Sequence, residues 1–92
     1  MVVRFTRIRL SGGSTHEHIT HLRGVEDASS ATYESTRSEW VGWIESGGSG
    51  YVGDRSGNRA QVVVVQPTIG PKYLRTVANN RYTDNLLSLP RF

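Results

Sequence analysis

Apolar and polar positions alternate through MVVRFTRIRL, which predicts an opening strand with Val3, Phe5, Ile8 and Leu10 turned inward. Ser11-Gly12-Gly13-Ser14-Thr15 interrupts the alternation, as paired glycines do in a turn. HEHITHL, His16 to Leu22, then reads as a second, short strand returning on the first, with Ile19 and Leu22 its core residues. From Arg23 to Ser35 the chain is polar and reads as an irregular loop. The period then changes. Trp40, Trp43 and Ile44 fall at i, i+3, i+4 and predict one helix with a single apolar face. Thr36 and Glu39 supply its capping box, each side chain satisfying a backbone donor of the first turn. Gly47-Gly48 closes it, because glycine accepts the left-handed conformation that ends helices.

The second half is strand-rich. GSGYVGD and NRAQVVVVQP flank Arg55-Ser56-Gly57-Asn58, a hairpin signal. The β-branched run Val62 to Val65 predicts a central strand covered on both faces. After a loop at Thr68–Pro71, Lys72 to Thr76 alternates again, and Asn79-Asn80 marks a turn. DNLLSLP, Asp84 to Pro90, supplies apolar residues to cap the core. The expected fold is α+β: an antiparallel sheet of about five strands with one helix packed on a face, in the order β-β-α-β-β-β.

Composition sets the scale of this fold. Ninety-two residues make one small domain, residues 1–92, with 36% hydrophobic content, enough for one modest core. There is no cysteine, so disulfides, thiolate zinc sites and cysteine nucleophiles are excluded together. A domain this small without staples is expected to gain stability as a homo-oligomer. No apolar run approaches the roughly 20 residues that cross a bilayer, and arginines interrupt the first segment, so no membrane association and a cytoplasmic location are expected. The net charge is +3, unevenly spread. Through Ser46, five arginines face six carboxylates; from Gly47 on, six cations face only Asp54 and Asp84. Cations gathered in one half favour an anionic partner.

Three histidines in six residues, His16, His18 and His21, raise the question of metal. H-x-H-x-T-H lies one residue from the H-x-H-x-D-H zinc box of metallo-β-lactamase-like hydrolases. On a strand, however, His16 and His18 point to one side and His21 to the other. Thr20 stands where that box has a carboxylate, and no further histidine exists to complete a site. No metal or other cofactor is therefore expected. His21 beside Thr20 could serve as a general base, yet the chain has no nucleophile elbow, paired acids or phosphate-binding loop. GSGYVG lacks the spacing and the strand-to-helix setting of a nucleotide loop. The balance favours a protein that is not an enzyme.

KYLRTVANNRYTDNLLSLP (Lys72 to Pro90), together with HITHLRG (His18 to Gly24), resembles a family of small bacterial and phage proteins of unknown function. Its members read ITHV-GG, a tryptophan-bearing helix, and KYLRT…DNL-LP; here HLRG replaces the small-residue ending of the first motif. The resemblance spans nearly the whole chain and implies a self-contained domain without implying an activity, cofactor or site. Its motifs carry more polar groups than a core needs. In KYLRT, Lys72, Leu74 and Thr76 share one face and Tyr73 and Arg75 the other. An arginine fork beside an aromatic ring suits an anionic, ring-bearing ligand. Lys72, Tyr73, Arg75, Asp84, Asn85, Thr20 and His21 are therefore the candidate ligand-binding residues. The competing reading is structural: Asp84 caps a turn, or pairs with Arg75. The expected function is non-catalytic binding of a small anionic ligand such as a nucleotide, including sequestration of a nucleotide signal in a phage setting. A single-stranded nucleic-acid-binding sheet bearing Tyr51, Tyr73 and Tyr82, and a protein-inhibiting module anchored by Trp40 or Trp43, are the alternatives.

Overall fold

A computed structural model describes residues 2–53 and 59–92. Among them are seven strands and one α-helix: β1 Val2–Leu10, β2 Ile19–Glu26, β3 Thr32–Thr36, α1 Arg37–Glu45, β4 Ser49–Gly53, β5 Arg59–Val65, β6 Tyr73–Ala78 and β7 Arg81–Thr83. They form one sheet in the order β3-β2-β1-β4-β5-β6-β7. Every neighbouring pair is antiparallel except β1 and β4, which run parallel with Val3 opposite Gly50. The architecture is α+β as expected, but the count of about five strands is too low. The two missed strands lie at the sheet's edges. β3 came from the segment read as a loop, and β7 follows the Asn79-Asn80 turn.

The opening strand alternates only because it is broken once. A β-bulge between Phe5 and Arg7 inserts Thr6 as an extra residue in the β1–β2 ladder. The bulge resets the alternation, so Val3, Phe5 and Ile8 are all buried while Arg4, Arg7 and Arg9 share the opposite face. The second half of β1 has another neighbour: Ile8 N–H donates to Pro90 O (3.0 Å) and Phe92 N–H to Ile8 O (3.1 Å). Phe5 fits because its neighbours are glycines. A Cβ at Gly24 would collide with Val3, and one at Gly50 with the Phe5 ring.

The HEHITHL segment is not a strand at its start. His16–His18 forms a single 3-10 turn, and β2 begins at Ile19 and runs longer than expected, to Glu26. In the helix the capping box is present, with Glu39 N–H donating to Thr36 Oγ1 (3.3 Å) and Thr36 N–H to Glu39 Oε1 (3.0 Å). Gly47 takes φ +107° at its end. Trp40 is buried edge-on to Phe5 (4.9 Å between ring centres), and its indole N–H donates to Leu22 O (3.0 Å). Trp43 packs edge-on against Trp40, so the helix gives its aromatic face to the core. Val62 is buried, but Val63 to Val65 are only half-buried and β5 is fifth in the sheet. The central strand is β4. The Arg55–Asn58 turn lies outside the described residues, though β4 and β5 on either side pair antiparallel as a hairpin requires. Asn79 and Asn80 both adopt positive φ, 53° and 63°, the two-residue turn that matches the twist of the β6–β7 hairpin. No helix among the described residues is long and apolar enough to cross a membrane.

Candidate anion-binding site

The KYLRT and DNLLSLP segments meet at Thr76, which is fully buried. Its hydroxyl donates to Thr83 O (3.1 Å) and accepts from Thr83 Oγ1 (2.7 Å) and from Leu86 N–H (3.3 Å). Three hydrogen bonds on one oxygen lock the chain after β7 onto β6, and bury Leu86. Asp84 follows directly, its backbone carbonyl accepting from Ser88 N–H (2.9 Å) and from Ser88 Oγ (2.8 Å). That turn fixes where the Asp84 side chain starts.

As alternation predicts, Leu74 and Thr76 point into the core while Tyr73 and Arg75 are half-exposed. Arg75 Nη2 lies 3.4 Å from Asp84 Oδ1, and its guanidinium carbon sits 4.9 Å from the centre of the Tyr82 ring. The same Asp84 oxygen is 3.8 Å from Nε2 of His16, a residue only 8% exposed. His16 Nε2 and Arg75 Nε are both shut away from solvent without a hydrogen-bond partner. Asp84 therefore holds one arm of the arginine fork and reaches neither buried nitrogen. Burial, and next the Arg75 charge, push the His16 pKa below its ordinary value; Asp84 opposes this more weakly. Beside Arg75, Val77, Asn80 and the exposed Tyr82 line an open depression of about 350 Å³.

The candidate residues divide into those this cluster gathers and those it does not. Arg75 and Asp84 meet, and Tyr73 shares Arg75's side of β6, opposite Val65. Asn85 is exposed next to Asp84. Lys72 instead pairs with Glu45 at the end of α1 (2.6 Å). Thr20 and His21 belong to β2, where His21 Nδ1 lies 2.9 Å from Thr20 Oγ1 and His21 stands opposite Arg9. His16 and Tyr82 were not among the ligand candidates, yet they are the groups that join Arg75. The three histidines diverge: His16 faces Asp84, His18 Nδ1 sits 2.7 Å from Thr15 Oγ1, and His21 turns to Thr20. Among the described residues no three metal-binding side chains cluster. Tyr51, proposed above as a stacking surface, is buried, and its hydroxyl donates to Asp27 (2.8 and 2.9 Å).

A small α+β domain whose KYLRT strand and DNLLSLP segment close on one buried threonine is thus the class of protein in hand. The family model for proteins of unknown function DUF3892 matches residues 4–90, and the chain belongs to that family. Comparisons with curated proteins and with solved structures found no match.

Proposed function

We propose that this chain is a non-catalytic binding protein for a small anionic ligand such as a nucleotide, gripped at Arg75. The observation that carries this reading is the pair of buried, unpartnered nitrogens, Arg75 Nε and His16 Nε2, beside an exposed Asp84 that reaches neither. Buried hydrogen-bonding groups are normally satisfied, so an arrangement that leaves the Arg75 Nε donor unpaired beside an unpartnered His16 Nε2 invites a ligand oxygen. A phosphate or carboxylate replacing Asp84 would take Nε and Nη2 of the fork together, the geometry in which arginine binds oxyanions best. The Tyr82 ring and the depression over Val77 and Asn80 offer an adjoining platform for a planar group. On this reading the protein works in the cytoplasm, as a homo-oligomer, and holds its ligand without transforming it; sequestration of a nucleotide signal in a phage-infected cell is one such role.

The test is calorimetry and thermal shift against inorganic phosphate and mono-, di- and cyclic nucleotides. Arg75→Ala should leave the melting curve of the free protein nearly unchanged. Losing a charge-assisted contact of about 1.5–3 kcal/mol should weaken binding roughly tenfold to a hundredfold. Arg75→Lys should recover only part, since an ammonium lacks the planar fork. Silence across the panel at millimolar concentration, or an Arg75→Ala variant that unfolds, would overturn the proposal.

A further inference from the structure

We propose a second binding surface, separate from Arg75: the face of β1 and β2 that carries Arg4, Arg7, Arg9 and Arg23 binds the phosphate backbone of single-stranded nucleic acid. The β-bulge at Thr6 creates this face. Without it, strict alternation would place Arg4 on one side of β1 and Arg7 and Arg9 on the other. With it, the three arginines stand opposite Val25, Arg23 and His21 in turn, and so project to one side.

The electrostatics of that side are unfavourable for the sheet alone. Arg7 and Arg23 are directly opposite across an antiparallel ladder, an arrangement of like charges that destabilises strand pairing. The neighbouring strand supplies one carboxylate in compensation: Glu34 accepts from Arg23 Nε (3.2 Å) and Nη2 (2.8 Å). Asp27 lies at the far end of the strip, against Tyr51. Four guanidiniums thus meet Glu34, Asp27 and the Phe92 carboxyl group, with His21 at the Arg9 end. A face that keeps surplus cations opposed to each other suits an anion brought from outside.

The guanidiniums are also held in place. Arg9 and Arg23 lie 4.8 and 4.4 Å from the centre of the Phe92 ring, Arg9 Nε donates to Phe92 O (3.1 Å), and Arg7 Nη1 donates to Arg91 O (3.4 Å). Each of these bonds uses one of the five N–H groups of a guanidinium. Arg7 and Arg9 remain exposed. Arg7 and Arg9, successive residues on this face, are about 6.8 Å apart, comparable to the step between phosphates of an extended single strand, and Arg4 continues the row beyond the bulge. Three such arginines in file match a polymer better than a lone phosphate, and a strip lying flat on a sheet has no protruding element to enter a duplex groove.

Fluorescence anisotropy with labelled 12-nucleotide single strands, from 50 to 200 mM salt, tests this. Counterion release of about 0.7 per phosphate contact predicts that log K falls against log salt with a slope of about −2 to −3. Arg7→Gln with Arg9→Gln should weaken binding at least tenfold and flatten the slope by about 1.4. Arg37→Gln with Arg81→Gln, which removes the same charge elsewhere, should change it less than threefold. Circular dichroism melts check that both variants fold. No binding at 50 mM salt, equal losses in the two double variants, equal affinity for a 12-base-pair duplex, or binding to phosphatidylserine vesicles in place of the oligonucleotide would each overturn the proposal. Arg75→Ala separates the surfaces, since it should leave oligonucleotide affinity within threefold.

Discussion

Replacing Thr76 by valine changes almost no volume and removes one oxygen, and simple hydrophobicity and hydrogen-bond accounting disagree about the sign of the result. Thr76 is fully buried, so an added methyl in place of the hydroxyl should stabilise by up to about 0.8 kcal/mol on transfer grounds alone. Against this, Leu86 N–H loses its acceptor in the interior, a penalty of about 1–3 kcal/mol. The two bonds to Thr83 add about 1 kcal/mol each, since Thr83 is half-buried and can recover part of its hydration. The variant should therefore be about 2–4 kcal/mol less stable than the parent. Thr76→Ser keeps every hydrogen bond and loses only a methyl, at about 1 kcal/mol. Equilibrium urea unfolding at pH 7, with unchanged slopes, measures both. If the valine variant matches the parent, or exceeds the serine variant in stability, the buried hydroxyl does not hold the two motifs together.

Two further outcomes follow from the same interior. His16 has a folded pKa below its unfolded value of about 6.5; the unfolded chain thus takes up the proton first as pH falls. Its contribution to stability is full above pH 6.5 and is lost as pH falls from there through the folded pKa. Urea midpoints should therefore rise with pH across that window, and the rise should be smaller in His16→Gln; an identical pH profile in the variant would show that His16 is not held neutral. Gly24→Ala would drive a Cβ into Val3 and against the Arg4 carbonyl, and should cost about 1–3 kcal/mol by thermal melt, whereas Gly42→Ala, facing open space on the helix, should stabilise slightly.

What the sequence made legible in the fold is what local chemistry encodes. The helix was readable to the residue because Thr36, Glu39 and Gly47 each do a job fixed by backbone geometry within one turn. The Asn79-Asn80 hairpin was readable for the same reason. β3 was not, because Thr-Tyr-Glu-Ser-Thr is an edge strand paired on one side and exposed along most of its length, so no face of it needs apolar residues. The Thr6 bulge was likewise hidden. Phe5 and Ile8 both looked inward, three residues apart, and only a partner strand shows that an extra residue lies between them.

The candidate site divides along the same line. Arg75 and Asp84 are nine residues apart, joined through one hairpin, and either reading of the pair could be written from their spacing. His16 comes within 3.8 Å of Asp84 from the opposite end of the sequence, and nothing in its local sequence separates it from His18 or His21. Its burial follows from where the 3-10 turn after β1 lands against β6, a property of the tertiary fold rather than of the segment. The reading as a strand failed there for a physical reason: alternation assigns sides only where the backbone is extended, and His16–His18 is wound. The imidazole is thus placed by tertiary contact, its Nε2 without a hydrogen bond, against an arginine whose Nε is likewise unpaired. Thr76 closes the KYLRT and DNLLSLP segments from one face of β6, while Arg75, His16 and Asp84 gather on the other side of that junction.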